Sequence, residues 1–177
     1  MRRVLVFLMS AVALLPAASP RAQAAPATVV LVRHAEAIAD AGTDPGLSEA
    51  GIARAAALAE ALKDAGIAAV ITTQYQRTIL TGEPVASAMK APLVRMRIAG
   101  GAAGLDAYVR QVVQRVHASY AGRTVVIIGH SNTVPALVKG LTGVETYDIA
   151  HDSYDHMFVV TAHAPGSGTV VRARYGR

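Results

Sequence analysis

The sequence predicts an α/β fold: a three-layer sandwich whose mainly parallel central sheet is flanked by helices. Two runs, Thr28–Val32 and Thr124–Ile128, are nearly continuous in Val, Ile and Leu, as expected of strands covered on both faces. Strand-like and helix-like segments alternate along the chain, the order a parallel sheet with crossover helices requires. With two Phe and no Trp among 177 residues, the core must be built from Val, Leu, Ile and Ala.

The first residues stand apart from the domain. Arg2 and Arg3 precede an apolar run from Val4 to Leu15, then Pro16 and the small-x-small sequence Ala22-Gln23-Ala24. This is the layout of a cleaved secretory signal, and the run is shorter than the ~18 apolar residues a spanning helix needs. The expected organisation is a signal peptide over 1–24 and one domain over 25–177. The mature protein is then periplasmic or secreted and has no stable membrane anchor. The Arg pair alone does not tell the general from the twin-arginine route. Losing Arg2, Arg3 and Arg21 lowers the formal net charge from +5 to +2, so the basicity is largely a targeting feature. No basic stripe with interleaved aromatics accompanies it, which excludes a nucleic-acid interface. The absence of cysteine excludes disulfides, Cys-ligated metal centres, thiol catalysis and a lipoprotein anchor.

In chain order, strands are expected at Thr28–Val32, Ala68–Thr72, Pro92–Val94 and Thr124–Ile128. Two more, Met157–His163 and Thr169–Arg174, are joined by the turn Ala164-Pro165-Gly166-Ser167-Gly168. Ser48 is placed to cap a helix over Glu49–Ala65 that stops at Gly66, with Ile52, Ala55, Ala56, Leu58, Ala59 and Leu62 on its apolar side. Further helices are expected over Gln76–Met89, with a kink or restart at Pro84, over Leu105–Tyr120 and over Thr133–Leu141.

Ligands of such sheets bind outside the carboxyl ends of the strands. Three of those ends carry distinctive side chains. Arg33 and His34 follow the first strand, Arg77 opens the helix after the second, and Gly129-His130-Ser131-Asn132 follows Thr124–Ile128. Two guanidinium groups in one crevice repel each other unless an anion lies between them, and their planar forks match phosphate oxygens. Backbone N–H groups of a helix N-terminus near Ser131 and Asn132 add attraction for a dianion. Nearby guanidinium charge keeps an imidazole unprotonated, so His34 can attack phosphorus and form a phosphohistidine that water opens. His130 is placed to hydrogen-bond the phosphoryl oxygens.

With these residues assembled, the sequence resembles the histidine phosphatase superfamily, of phosphoglycerate-mutase-like fold. LVRHAEA resembles its Arg-His signature, and LSEAGIARAAALAEAL the helix that follows. ITTQYQRTILTGEP resembles the segment bearing the second arginine, and VVIIGHSNTVPALV the Gly-His segment. The resemblance makes His34 the phosphorylated nucleophile and places Arg33, Arg77 and His130 around the phosphate; Asn132 is a further substrate-binding candidate from its place at the helix N-terminus. It implies catalysis without a metal or other cofactor, on a small phosphorylated substrate. Many relatives place a proton-donating Glu between the second arginine and second histidine. Here residues 85 to 129 offer only Asp106. Short secreted members carry acidic residues near the stretch His151–His156, which brings in Asp152 or Asp155. Glu36 is expected to orient its loop. The set His151, Asp152, Asp155 and His156 also has zinc-ligand chemistry, should its members converge.

The expected activity is hydrolysis of phosphomonoesters through a phosphohistidine on His34. The alternatives are a phosphohistidine or phosphoramidate phosphatase, and a catalytically weak phosphate-binding module. Specificity is expected to come from residues 35–47, 96–106 and 145–156; the natural substrate and the oligomeric state are not legible.

Overall fold

The structure is a computed structural model and describes residues 24–39 and 42–176. The expected export signal lies outside the described residues but for Ala24. No helix among the described residues is long and apolar enough to cross a membrane.

Six strands form one sheet in the order β3-β2-β4-β1-β5-β6. They are β1 (Ala27–Arg33), β2 (Ile67–Thr72), β3 (Leu93–Arg95), β4 (Thr124–Gly129), β5 (His156–Ala164) and β6 (Ser167–Arg174). The first four run parallel, and β5 and β6 add an antiparallel hairpin beside β1. Helices α1 (Glu49–Ala61) and α2 (Gln76–Ala88) cover one face; α3 (Gly101–Ser119) and α4 (Thr133–Thr142) cover the other. Alternate residues of one strand therefore serve two cores. Val29 and Leu31 of β1 pack toward α3 and α4, and Val30 and Val32 toward Leu58, Leu62 and Val85 of the opposite layer. This explains why β1 and β4 read as unbroken apolar runs.

Three helices differ from expectation. In α1 the hydrogen bonding tightens after Ala61, with Lys63 N–H on Glu60 and Ala65 N–H on Leu62, and the chain turns at Gly66, whose φ is +61°. The buried seam of α1 runs through Gly51, Ala55, Leu58 and Leu62; Ile52 is turned out, 61% exposed, and Ala56 is exposed too. Pro84 does not interrupt α2, which continues unbroken to Ala88. The proline lies on the outer side with Ile52 and Leu80, away from the sheet-facing Thr78, Thr81, Gly82 and Val85. Finally, α3 starts at Gly101 rather than Leu105, because Gly100 and Gly101 form its first turn without a side-chain cap.

Ser48 Oγ accepts from the N–H of Gly51 at 3.2 Å and donates to the Glu36 carbonyl at 3.3 Å. The cap of α1 is thereby fastened to the loop that follows β1. Gly51 packs so closely on Glu36 that a Cβ would be driven into the Glu36 carbonyl oxygen. The stretch Leu47-Ser48-Glu49-Ala50-Gly51 thus seats α1 on the segment carrying His34.

Candidate active site

The carboxyl ends of β1, β2 and β4 open on a hollow of about 620 Å³ whose lining includes Arg33, His34, Arg77 and His130. Because β1 and β4 are neighbours paired Arg33 to Gly129, the residues that follow each strand, His34 and His130, emerge side by side. Their ring centroids are 5.3 Å apart.

His34 is 7% exposed, and its Nδ1 lies 2.8 Å from the Ala35 carbonyl oxygen. A carbonyl only accepts, so Nδ1 carries the hydrogen and Nε2 keeps its lone pair. The loop behind it is held by the buried hydroxyl of Thr81, which accepts from the N–H of Ala35 at 2.9 Å and donates to the Arg77 carbonyl. Burial, reinforced by Arg33 and Arg77 against the pull of the Ala35 carbonyl, lowers the His34 pKa to about 4. Burial, with His34 and both arginines, lowers that of His130 to about 3. Both rings are therefore neutral at neutral pH.

Arg33 is buried at the floor. Its Nη1 donates to the carbonyls of Ala150, His151 and Ser153 at 2.8, 2.9 and 3.1 Å, and its guanidinium carbon lies 4.1 Å from the Tyr154 ring centroid. Its Nε is buried without a partner. Arg77 stacks 4.6 Å over Tyr75, while Asp44 lies 3.9 Å from it and accepts from the N–H of Gln76 at the start of α2. Each arginine therefore rests on a tyrosine, and each tyrosine meets one imidazole edge-on: Tyr154 with His34, Tyr75 with His130. These planar supports hold the guanidinium groups without adding a countercharge of their own; Asp44, beside Arg77, is the one carboxylate paired with either arginine among the described residues.

The first turns of α3 and α4 complete the wall. Gly100, Gly101, Ser131, Asn132 and Thr133 line the hollow, and neither helix has a side-chain cap bond at its N-terminus. Unclaimed N–H groups and the positive ends of two helices thus surround the two arginines. Gly129 is demanded by the same crowding, since a Cβ would meet Thr133 Oγ1 at 2.5 Å. Gln74 ties the rim to β2, its side chain accepting from the Ile98 N–H and donating to the Ile98 carbonyl.

The acidic candidates are placed elsewhere. Asp106 is exposed and lines a separate surface depression with Arg110 and Lys139; one residue earlier on α3, Leu105 faces the hollow. Asp152 is exposed and does not line the hollow either. Neither aspartate expected as a proton donor is therefore among the residues lining the hollow: a helical step turns Asp106 away, and the turn after His151 leaves Asp152 exposed. Asp155 pairs with Arg174 at 2.6 Å, which holds its carboxyl below the usual range despite partial burial. For Glu36, burial pushes upward, but hydrogen bonds from Arg54 at 2.7 to 2.9 Å outweigh it and keep the carboxyl below the ordinary range. Of the suspected metal-ligand set, His151 opens on the hollow and His156 stacks on Phe158, so the four side chains do not converge. Among the described residues, no three His, Asp or Glu side chains are gathered as metal ligands.

Sequence reasoning missed Thr73, Tyr75, Thr78, Tyr154 and the Gly100-Gly101 turn. The adjoining threonines at the end of β2 were the available signal; nothing local marks Tyr154.

The two depressed histidine values predict a stability profile. In the unfolded chain both rings take a proton near pH 6.5, whereas the folded chain refuses it until about pH 4 or 3. Below pH 6.5 the unfolded state binds more protons, so stability is fully present above that pH and is lost as pH falls. Denaturant unfolding at a series of pH values is expected to register a loss on the order of a few kcal/mol between pH 6.5 and 4. A flat profile over that window would contradict the buried, neutral state of the pair.

Residues 29–98 match the family model of the histidine phosphatase superfamily, branch 1. That stretch includes Arg33, His34 and Arg77 but ends before His130. The fold is similar to that of the protein histidine phosphatase SixA complexed with tungstate, at 22% identity and TM-score 0.69 over 83% of this chain and 96% of that one. YhfR of Bacillus stearothermophilus is similar at 17% identity and TM-score 0.66, covering 82% of this chain and 95% of its own. A mycobacterial glucosyl-3-phosphoglycerate phosphatase follows at 15% identity and TM-score 0.65, covering 84% and 98%. At these identities the likeness is one of fold. No curated protein sequence matches the chain.

Proposed function

The chain belongs to the histidine phosphatase superfamily, and from that premise we propose that it hydrolyses phosphomonoesters through a phosphohistidine on His34. The observation that carries this reading is the free Nε2 of a buried, neutral His34 in one hollow with two arginines, of which Arg33 has no carboxylate partner among the described residues and Arg77 only Asp44 at 3.9 Å. In the first step the Nε2 lone pair forms a bond to phosphorus and the ester P–O bond breaks, its electrons leaving with the alkoxide. Arg33, Arg77 and the N-termini of α3 and α4 attract the negative charge spread over the phosphoryl oxygens. In the second step water attacks phosphorus, the N–P bond breaks, and phosphate leaves with Nε2 restored; the proton that water gives up to solvent balances the one the departing alkoxide takes from it. No metal enters either step.

A second reading is favoured by one observation: no carboxylate of the described residues lines the hollow. An alkoxide needs a proton to leave, whereas the nitrogen of a phosphoramidate can arrive already protonated. Hydrolysis of P–N bonds, phosphohistidine included, therefore suits the hollow as well. Export belongs to the same proposal, supported by the charged, apolar and small-residue order of positions 1–24. N-terminal sequencing of the exported protein checks it, and an intact Met1 would rule it out.

The experiment is rapid quenching with p-nitrophenyl phosphate, a sugar phosphate and phosphoramidate, each in chelator. The expected result is turnover with a phosphoryl adduct on the His34 peptide, labile to acid and stable to alkali. Turnover with no such adduct, or turnover only with added metal, would overturn the mechanism. The ratio of phosphoramidate to ester rates decides between the two substrate readings.

A further inference from the structure

His130 is held from behind by two buried hydroxyls. Its Nε2 lies 3.1 Å from Thr73 Oγ1, which lies 2.9 Å from Thr78 Oγ1, which in turn donates to the Tyr75 carbonyl at 2.8 Å. Both threonines are 0% exposed. Each hydroxyl has a single proton, so the direction of the chain is set from its far end. Thr78 has two carbonyls within reach, those of Tyr75 and, at 3.4 Å, Thr73. Carbonyls only accept, so its proton is committed to one of them. Thr78 Oγ1 can then only accept from Thr73, and Thr73 Oγ1 can only accept from His130. The opposite tautomer would set the two threonine oxygens 2.9 Å apart with no proton between them.

We infer that Thr73 and Thr78 are positioning residues that lock His130 as the Nε2–H tautomer and make Nδ1 the nitrogen that meets the phosphoryl group. The two imidazoles are then held in opposite senses. At His34 a carbonyl holds Nδ1–H and frees Nε2; at His130 the hydroxyl chain holds Nε2–H and frees Nδ1. As negative charge builds beside it, His130 can take a proton on Nδ1 without leaving Nε2–H unpaired in a buried setting. The inference rests on the phosphatase reading for what Nδ1 does, but not for which tautomer is present.

The test uses the full chain with 15N-labelled histidine and long-range 1H–15N correlation spectra at neutral pH, with the His130 signals identified by their loss in His130→Gln. The expected pattern is a protonated Nε2 and an unprotonated Nδ1. Thr73→Val, which keeps the shape and removes the hydroxyl, is expected to give a tautomer mixture and to lower kcat about ten- to a hundredfold with KM little changed. Thr73→Ser is expected to restore both, and Thr78→Val to give a milder form of the same change. A protonated Nδ1 in the wild type overturns the inference with no variant needed, which covers the case of Thr73→Val failing to fold. So does an unchanged spectrum in a folded Thr73→Val. The locked tautomer in a chain that turns over nothing would uphold the lock and overturn the phosphatase reading.

Discussion

Replacing His34 by asparagine is expected to abolish turnover, by on the order of 10⁴-fold or more, while leaving oxyanion binding within about tenfold of wild type. The asparagine amide retains a donor for the Ala35 carbonyl, where Nδ1–H now donates at 2.8 Å, but has nothing to attack phosphorus with. Arg33, Arg77, His130 and the first turns of α3 and α4 remain to attract the anion. Steady-state kinetics and vanadate titration separate the two effects. Turnover within tenfold of wild type would remove His34 as nucleophile. The same variant should also be more stable than wild type near pH 4.5, because it discards a ring that must stay neutral where the unfolded chain would protonate it. Nucleophilicity and acid stability are thus set against each other at one residue.

Substituting Gly51 by alanine is expected to cost about 3 kcal/mol of stability and most of the activity, although the site lies outside the hollow. The added methyl would be driven into the Glu36 carbonyl oxygen and would also stand 3.1 Å from the Glu36 nitrogen. Backbone cannot rotate aside as a side chain would. Relief by movement is further restricted by the Ser48 hydroxyl on the Glu36 carbonyl and by Arg54, which grips the Glu36 carboxylate and reaches the carbonyls of Tyr175 and Gly176. Strain would therefore pass along two residues of chain to His34. Thermal unfolding and kcat are the measurements; a Gly51→Ala protein with wild-type melting and turnover would show that α1 does not hold the nucleophile's loop.

Much of the active end could be read from the chain alone because the signals there are local. A run of β-branched residues marks a strand wherever it lies, and a charged or imidazole residue just beyond that run must fall at a sheet edge. Arg33, His34 and His130 belong to this class, and β1 beside β4 then brings the two histidines together. The Ser48 cap is legible for the same reason, standing next to the helix it opens, whereas the seat of Gly51 on Glu36 is a contact only the fold reveals. Where periodicity was the only guide it fared less well. Ile52 satisfied the apolar pattern of α1 yet faces solvent, because the close seat of Gly51 on Glu36 sets the helix's rotation.

What the sequence by itself determined is the alternation of strands and helices and the set of side chains delivered to the strand ends, both consequences of chemistry within a few residues of chain. Only the tertiary structure decided which acidic groups stay out of the hollow, that Tyr75 and Tyr154 carry the arginines, and that Thr73 and Thr78 stand behind His130. The contacts of Thr73 with His130 and of Tyr154 with Arg33 join segments far apart in the chain, and even the short-range pairs, Tyr75 with Arg77 and Thr73 with Thr78, need the turn after β2 to bring them together. Asp106 and Leu105 are adjacent in sequence and open on different cavities, since one helical step turns a side chain by about 100°. Arg33 finds its carbonyl acceptors more than a hundred residues away, on a loop whose position is fixed by the pairing of β5 with β1.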